Sequence, residues 1–179
     1  MQLIRRSLRS DATTNYIQVG HRQTAIEYTI AGIRKIHDAN LDVLGRDPFT
    51  SEMEGAMQAW VVETLLQGAY LREYHLWEKD CKAYFTAMAE RNGGKVSMKT
   101  KGGQSFVKLM KDTLAEFGVG ISDNILNALE HMRDRVNIMK HEAGLELEHF
   151  ITESDYKSSI EAIEGFWETL AARESFTGG

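Results

Sequence analysis

The chain has a single cysteine and no long apolar run among its 179 residues. Cys81 has no second cysteine with which to form an internal disulfide, and disulfides are rare in reducing compartments. The sequence contains no stretch of about 18 apolar residues, so it predicts no membrane-spanning helix. These two absences argue against a disulfide-stabilised fold and against an integral membrane protein. We therefore expect a soluble, cytoplasmic protein without a membrane partner.

Residues that break helices are also few. Pro48 is the only proline, and most of the 15 glycines are grouped in short segments, which leaves long uninterrupted stretches. At 42% hydrophobic content, a chain of this length is large enough to form one hydrophobic core but too short for two domains to be expected. The composition predicts a single domain spanning residues 1–179.

Helical periodicity runs through most of the sequence. In residues 24–44, isoleucines recur at three- and four-residue steps, the spacing of one helical face. The segment 45–48 ends that helix, and Ser51 is the predicted N-cap of a long central helix. We predict an all-α helical bundle of about five helices, at residues 24–44, 51–89, 106–117, 122–141 and from 152 onward.

Positive charge is scarce overall but concentrated in one segment. The formal net charge is −5, which argues against a general nucleic-acid-binding protein, because such proteins neutralise phosphates. Residues 91–111 nevertheless contain no acidic residue and six basic ones: Arg91, Lys95, Lys99, Lys101, Lys108 and Lys111. This segment is interpreted either as a solvated loop between helices or as a surface that docks an anionic polymer.

The most informative stretch is residues 133–142, near the end of the fourth predicted helix. It combines Arg133, Arg135, Asn137 and His141. Arginine offers a planar, permanently charged fork to phosphate oxygens, whereas histidine can accept and return a proton near neutral pH. This grouping of residue types indicates a site that binds and transforms phosphate groups.

Helical geometry sets a condition on this site. At 100° per residue, Asn137 lies on one stripe with Arg133 and His141, beside the apolar stripe of the same helix. Arg135 lies about 120° around the helix from His141. The two therefore meet only if the helix bends or ends near Lys140, or if a second subunit supplies one of them.

Arg135 and His141 are separated by five residues, a spacing that resembles the R-x(4–6)-H signature of the HEPN family (higher eukaryotes and prokaryotes nucleotide-binding domain). The similarity extends over most of the chain: a long helix pair, a connecting segment, a motif-bearing helix and a closing helix. The resemblance implies a helical bundle that is often a metal-independent endoribonuclease of toxin–antitoxin, antiphage or RNA-processing systems. It also implies a homodimer whose motifs face each other.

The resemblance further implies roles for individual residues. His141 would act as general base or acid, Arg135 would stabilise charge on the phosphoryl oxygens, and Asn137 or Arg133 would orient the scissile group. The residues expected to contact RNA are Lys140, Lys95, Lys99 and Lys101. The scheme requires no metal and no other cofactor.

Other interpretations stay open at this point. In the family the residue after the arginine is usually polar, whereas here it is Val136, which favours a non-catalytic HEPN-like module. Such a module would dimerise, bind RNA or a nucleotide, or bind an antitoxin or a nucleotidyltransferase-like protein. A weaker alternative is a ligand-sensing pocket formed by Trp60, Trp77 and Tyr84.

A metal site is the least favoured alternative. Its candidate ligands are His141, Glu142, Glu148 and His149. Their spacing matches neither an H-E-x-x-H helix nor the paired motifs of di-iron bundles.

Overall fold

A computed structural model describes residues 2–141 and 150–176, with side chains described for residues 12–141 and 150–172. The described residues form no strand. They form five helices: α1 Gln2–Leu44, α2 Pro48–Arg91, α3 Phe106–Glu116, α4 Asp123–His141 and α5 Glu153–Phe176. The predicted all-α bundle of about five helices is confirmed.

Helix α1 begins at Gln2, so the predicted start at residue 24 is wrong. The buried residues Ala12 and Val19 extend the apolar stripe toward the N-terminus in seven-residue steps from Ile26. Two threonines after Ala12 and the glycine Gly20 weaken the local pattern. The stripe becomes evident only over the full length of the helix.

The turn between α1 and α2 is set by Asp47 and Pro48. The Asp47 side chain accepts hydrogen bonds from the backbone N–H groups of Phe49 and Thr50, each at 3.1 Å. Pro48 occupies the first turn, where its missing N–H leaves no intrahelical bond unmade. The predicted N-cap at Ser51 is therefore wrong, because Asp47 caps the helix one turn earlier.

The predicted long central helix is confirmed, and it is α2. Its 44 residues span about 65 Å at 1.5 Å per residue. None of the described helices carries an apolar stretch that is long enough to cross a membrane. The C-terminal half of α2 forms the centre of the bundle, with Tyr70, Trp77, Cys81 and Phe85 almost completely buried.

Helix α5 packs antiparallel to α1. Near the start of α5, Glu153 forms an ion pair with Arg34, and further along α5 the Glu164 carboxylate approaches Gly20. A buried ion pair holds α1 against α2: Arg22 Nε donates to both carboxylate oxygens of Glu73 at 2.8 Å. These contacts fix the positions of α1, α2 and α5 relative to one another along their axes.

An aromatic cluster joins α2, α3 and α5. The ring of Trp77 meets those of Phe106 and Phe166 edge-on, with centroids 5.6 Å apart in both cases. Tyr84 packs against Trp167 in the same core. Trp60 lies on the exposed N-terminal half of α2, so Trp60, Trp77 and Tyr84 do not form the common pocket considered from the sequence.

Residues 35–61 project beyond the start of α5, and we call them the arm. They comprise the end of α1, the turn and the first part of α2. Ile36 was predicted to lie on the apolar face of α1 with Ile30, but Ile30 is buried and Ile36 is exposed. Ile36 lies about 120° around α1 from Ile30, and α5 begins opposite Arg34, two residues before Ile36.

Candidate functional site

The motif helix α4 buries one face and ends at the site. The predicted stripe was Ile125, Leu129, Met132, Val136 and Met139. Its three central members are buried together with Leu126, whereas Ile125 and Met139 are only partly buried. His141 is the last residue of α4, and its side chain is exposed. The end of α4 is thus open to solvent at its histidine.

Helix α4 runs antiparallel to α5 and ends on the side from which the arm projects. A Cβ on Gly165 of α5 would approach Ile125 near the start of α4, whereas Arg135 contacts Asp155 near the start of α5. Six further residues carry His141 about 9 Å beyond Arg135 along the helix axis. The motif therefore faces the same end of the bundle as the arm.

Arg135 is held in place by the start of α5. Its Nη2 donates to the backbone carbonyl of Phe150 at 2.6 Å, and its Nη1 lies 3.7 Å from Asp155 Oδ2. The side chain is only 19% exposed. Neither contact could be predicted from the sequence, because Phe150 and Asp155 are both far from Arg135 along the chain.

Asp155 is itself fixed by Thr152 in a reciprocal capping arrangement. The Thr152 backbone N–H and hydroxyl donate to Asp155 Oδ2 at 2.9 and 2.8 Å, and the Asp155 N–H donates to Thr152 Oγ1 at 3.1 Å. Partial burial raises the pKa of Asp155, but these bonds and the charge of Arg135 outweigh it, so the pKa lies below its ordinary value. Asp155 is therefore an anion that keeps the guanidinium in one position.

Arg133 is surrounded by carboxylates of its own helix. Its Nη1 forms an ion pair with Glu130 at 2.8 Å, its Nε donates to Asp134 at 3.1 Å, and Nη2 also contacts Asp134. Two carboxylates next to one guanidinium leave little positive potential for a phosphate. Arg133 is thus a weaker candidate for binding substrate than Arg135.

The structure places Asn137, Lys140 and His141 together in exposed positions on the last turn and a half of α4. Because α4 remains helical through His141, the angle of about 120° between Arg135 and His141 persists within one chain. A helix end that brings them together before His141 is not formed.

His131 is a further histidine beside the motif that the sequence analysis did not single out. It is exposed on α4 one turn before Arg135, and its charge contributes to lowering the pKa of Asp155. The spacing of four residues between His131 and Arg135 was visible in the sequence, because residues four apart on a helix are neighbours. The proximity of Asp155 on α5 could not be predicted from the sequence.

The basic segment lies at the other end of α4. Lys95, Lys99 and Lys101 are exposed in the connection between α2 and α3. This connection packs toward the start of α4: the Thr113 hydroxyl lies 3.8 Å from the sulfur of Met98, and Lys111 forms an ion pair with Asp123. Since α4 is about 28 Å long, these lysines are not brought together with His141.

A cavity of about 290 Å³ lies beside the start of α5. Its walls include Leu66, Val62, Glu63, Arg34 and residues 150–153. Arg34, the cation in this wall, is paired with Glu153. The cavity offers apolar surface and a few polar atoms next to the Phe150 carbonyl that Arg135 binds.

Within residues 2–141 and 150–176, no group of three or more His, Cys, Asp or Glu side chains is arranged to hold a metal ion. Glu142, Glu148 and His149, three of the four candidate ligands from the sequence, lie outside the described residues. Of the predicted reacting groups, His141 and Arg135 both lie within the described residues.

Comparisons with known proteins give no independent assignment. The function must accordingly be inferred from the residues and their arrangement. No protein-family model matches the chain, and no curated protein and no solved structure is significantly similar to it.

Proposed function

We propose that the chain is a metal-independent endoribonuclease whose reacting groups are His141 and Arg135. The observation that supports this proposal is that α4 carries an exposed imidazole at its end and, six residues earlier, a guanidinium held by Phe150 and Asp155. A fixed cation and an accessible proton acceptor are the groups that phosphoryl chemistry requires. A cytoplasmic toxin or an antiphage effector is the setting in which such an activity would be used.

In the proposed reaction, the ribose 2′-oxygen attacks the adjacent phosphorus and the bond from phosphorus to the 5′-oxygen breaks. His141 takes the proton of the 2′-hydroxyl. The imidazolium that this forms then gives the proton to the leaving 5′-oxygen. Arg135 stabilises the negative charge on the non-bridging oxygens, while Asn137 orients the phosphate. The products are a 2′,3′-cyclic phosphate and a 5′-hydroxyl.

The separation of Arg135 and His141 around α4 leads us to include a second copy in the proposal. In a homodimer whose motif helices face each other, the imidazole of one copy approaches the guanidinium of the other. A two-fold axis creates two such pairs from one contact. Lys140, exposed beside His141, would add positive charge to the shared groove, and the segment with Lys95, Lys99 and Lys101 would contact only a longer RNA.

A non-catalytic module is the second candidate, and the contacts of the two arginines favour it. Glu130 and Asp134 pair with Arg133, and Asp155 lies next to Arg135, which lowers the positive potential of the motif. Such a module would dimerise and bind RNA, a nucleotide, an antitoxin or a nucleotidyltransferase-like protein without cleaving a bond.

Cleavage of single-stranded RNA of mixed sequence in the presence of EDTA tests the proposal. We expect cyclic-phosphate products from the wild type and a loss of about 100-fold or more for His141→Ala. Arg135→Lys should be similarly impaired, because a lysine cannot offer the same fork. His21→Ala is the matched control, because His21 is an exposed histidine on α1, outside the motif helix, and it should retain activity.

Two outcomes would decide against this assignment. Equal cleavage by the wild type and His141→Ala would remove His141 from the reaction. A folded wild type that binds RNA without cleaving any of it would replace the enzyme by the non-catalytic module.

A further inference from the structure

The arm exposes an unusual number of large apolar side chains. Their exposed fractions range from 38% to 85%, and they are Ile36, Val43, Leu44, Phe49, Met53, Met57, Trp60 and Val61. Monomeric soluble proteins rarely expose contiguous apolar patches of more than a few hundred Å². Such a concentration at one end of the molecule marks a surface that another molecule covers.

A groove between the two helices shows which of these residues lie on one side. It has a volume of about 200 Å³, and Ile36, Met57 and Val61 line it. Asn40 and Glu54 also line the groove, and they are bonded to each other, with 3.3 Å between Asn40 Nδ2 and Glu54 Oε2. Glu54 thus has a partner within the arm, whereas Nδ1 of His37, which also lines the groove, is buried without a hydrogen-bond partner among the described residues. The apolar walls of the groove are open.

Helical periodicity extends this side along both helices. Val43 follows Ile36 by two turns, and Met53 precedes Met57 by one. We call the resulting surface the arm face, made of Ile36, Val43, Met53, Met57, Trp60 and Val61. By the same count, the charged residues Asp38, Asp42, Glu52 and Glu63 lie about 100° or more away from its centre.

We propose that the arm face binds the arm face of a second copy of this chain, so that the two arms form an antiparallel four-helix bundle about a two-fold axis. Two helices share only one seam and cannot enclose a core, whereas four helices can. A two-fold contact pairs one patch with itself. The members of the arm face are uncharged, and the carboxylate of Glu54 in the groove is hydrogen-bonded to Asn40.

The size of the arm face agrees with a stable dimer. With ordinary side-chain areas, the exposed fractions of its members and of the adjoining Phe49 correspond to roughly 800 Å² per copy. Stable specific interfaces bury about this much on each partner. Trp60 and the two methionines are also residue types that are enriched in such interfaces.

The charges at the edges of the arm disfavour a lipid surface as the occupant. Helices that lie on membranes carry basic residues beside their apolar face to meet anionic headgroups. The arm has only two basic residues, Lys35 and Arg46, against five acidic ones, and Arg46 is paired with Asp42. A second copy places Asp38, Asp42 and Glu52 at the solvated rim.

Sedimentation equilibrium of the full chain from about 1 µM to about 100 µM tests the proposal. We expect a wild-type dimer, and we expect Ile36→Glu and Met57→Glu to raise the dissociation constant by about 30-fold or more. Ile17→Glu is the matched control, because Ile17 is 47% exposed on the same helix but lies outside the arm. Circular dichroism confirms that each variant remains folded.

Acrylamide quenching of tryptophan fluorescence supplies a second measurement on the same proteins. Trp77 and Trp167 are each 1% exposed, so the quencher reports on Trp60. Quenching of the wild type should decrease as its concentration rises through the dissociation constant. Quenching of Ile36→Glu should remain high throughout.

A wild type that stays monomeric over this range would overturn the proposal, as would a dimer that Ile36→Glu and Met57→Glu leave intact. An oligomer that forms only with anionic vesicles would assign the arm face to membranes instead. The arm face contains no residue of the Arg-His motif. The proposed cleavage also uses a second copy, so a monomeric wild type would count against both proposals, whereas a dimer that cleaves no RNA would count against the nuclease alone.

Discussion

The guanidinium of Arg135 donates a 2.6 Å hydrogen bond to the backbone carbonyl of Phe150, fifteen residues further along the chain. This contact joins the helix that carries the motif to the segment that precedes α5. It gives Arg135 a structural role that is independent of any substrate. A loss of activity in an Arg135 variant must therefore be separated from a loss of stability.

The first prediction concerns that separation. Arg135→Ala leaves the Phe150 carbonyl and Asp155 without their partner, and we expect it to lower the free energy of unfolding by about 1–3 kcal/mol. Arg133→Ala should cost less than about 1 kcal/mol, because its ion pairs lie on the helix surface. Urea denaturation of both variants and the wild type measures the difference. Equal losses would mean that Phe150 does not depend on Arg135.

The second prediction concerns the acid limb of stability. Because the pKa of Asp155 is depressed in the folded chain, its ionised form stabilises the protein above the unfolded pKa of about 3.9. This contribution is lost as the pH falls through the folded pKa. The wild type should thus exceed Asp155→Asn in free energy of unfolding near pH 6, and the difference should shrink toward pH 2. A difference that is constant with pH would exclude the ionised carboxylate as its source.

The third prediction compares two ion pairs of the same chemical kind. Glu73 is almost completely buried against Arg22, whereas Arg34 and Glu153 are both about half exposed. Glu73→Ala leaves a partly buried guanidinium unpaired and should cost about 3 kcal/mol. Glu153→Ala should cost at most about 1 kcal/mol. Thermal or urea unfolding would refute the comparison if the two losses were similar.

The fourth prediction concerns the only cysteine. Burial raises the pKa of the Cys81 thiol well above its ordinary value, and the thiolate is the reactive form. A disulfide reagent should therefore label the folded protein much more slowly than the urea-unfolded protein at pH 8. Serine at this position serves as the unlabelled control. Rapid labelling of the folded chain would show that the site opens locally.

The helices that were predicted well carry their signals in short stretches of sequence. Helix α4 shows a regular stripe from Ile125 to Val136, and α5 opens at Thr152 with the capping residue Asp155. The beginning of α1 was not recognised, since its stripe repeats only every seven residues. The N-cap of α2 was misplaced at Ser51, because Asp47 and Pro48 were interpreted only as the end of α1.

The Arg-His motif likewise has some features that follow from the sequence and others that do not. The spacing of Arg135 and His141 and the angle between them follow from the sequence, because a helix has a fixed geometry. The carbonyl of Phe150 and the carboxylate that hold Arg135 do not follow, since they arrive from another helix. The carboxylates around Arg133 were visible in the sequence, being its neighbours on the same helix.

The sequence by itself determined that the chain is a bundle of helices and that Arg135 and His141 lie six positions apart on one of them, because both depend on residues close together along the chain. Only the tertiary structure decided which apolar positions of α1 another element covers: Ile30 is buried, whereas Ile36, about 120° further around the helix, is exposed. Burial depends on whether another element covers a position, and α5 begins opposite Arg34, before Ile36 is reached. The apolar face of the arm is exposed because α5 does not extend far enough to cover it.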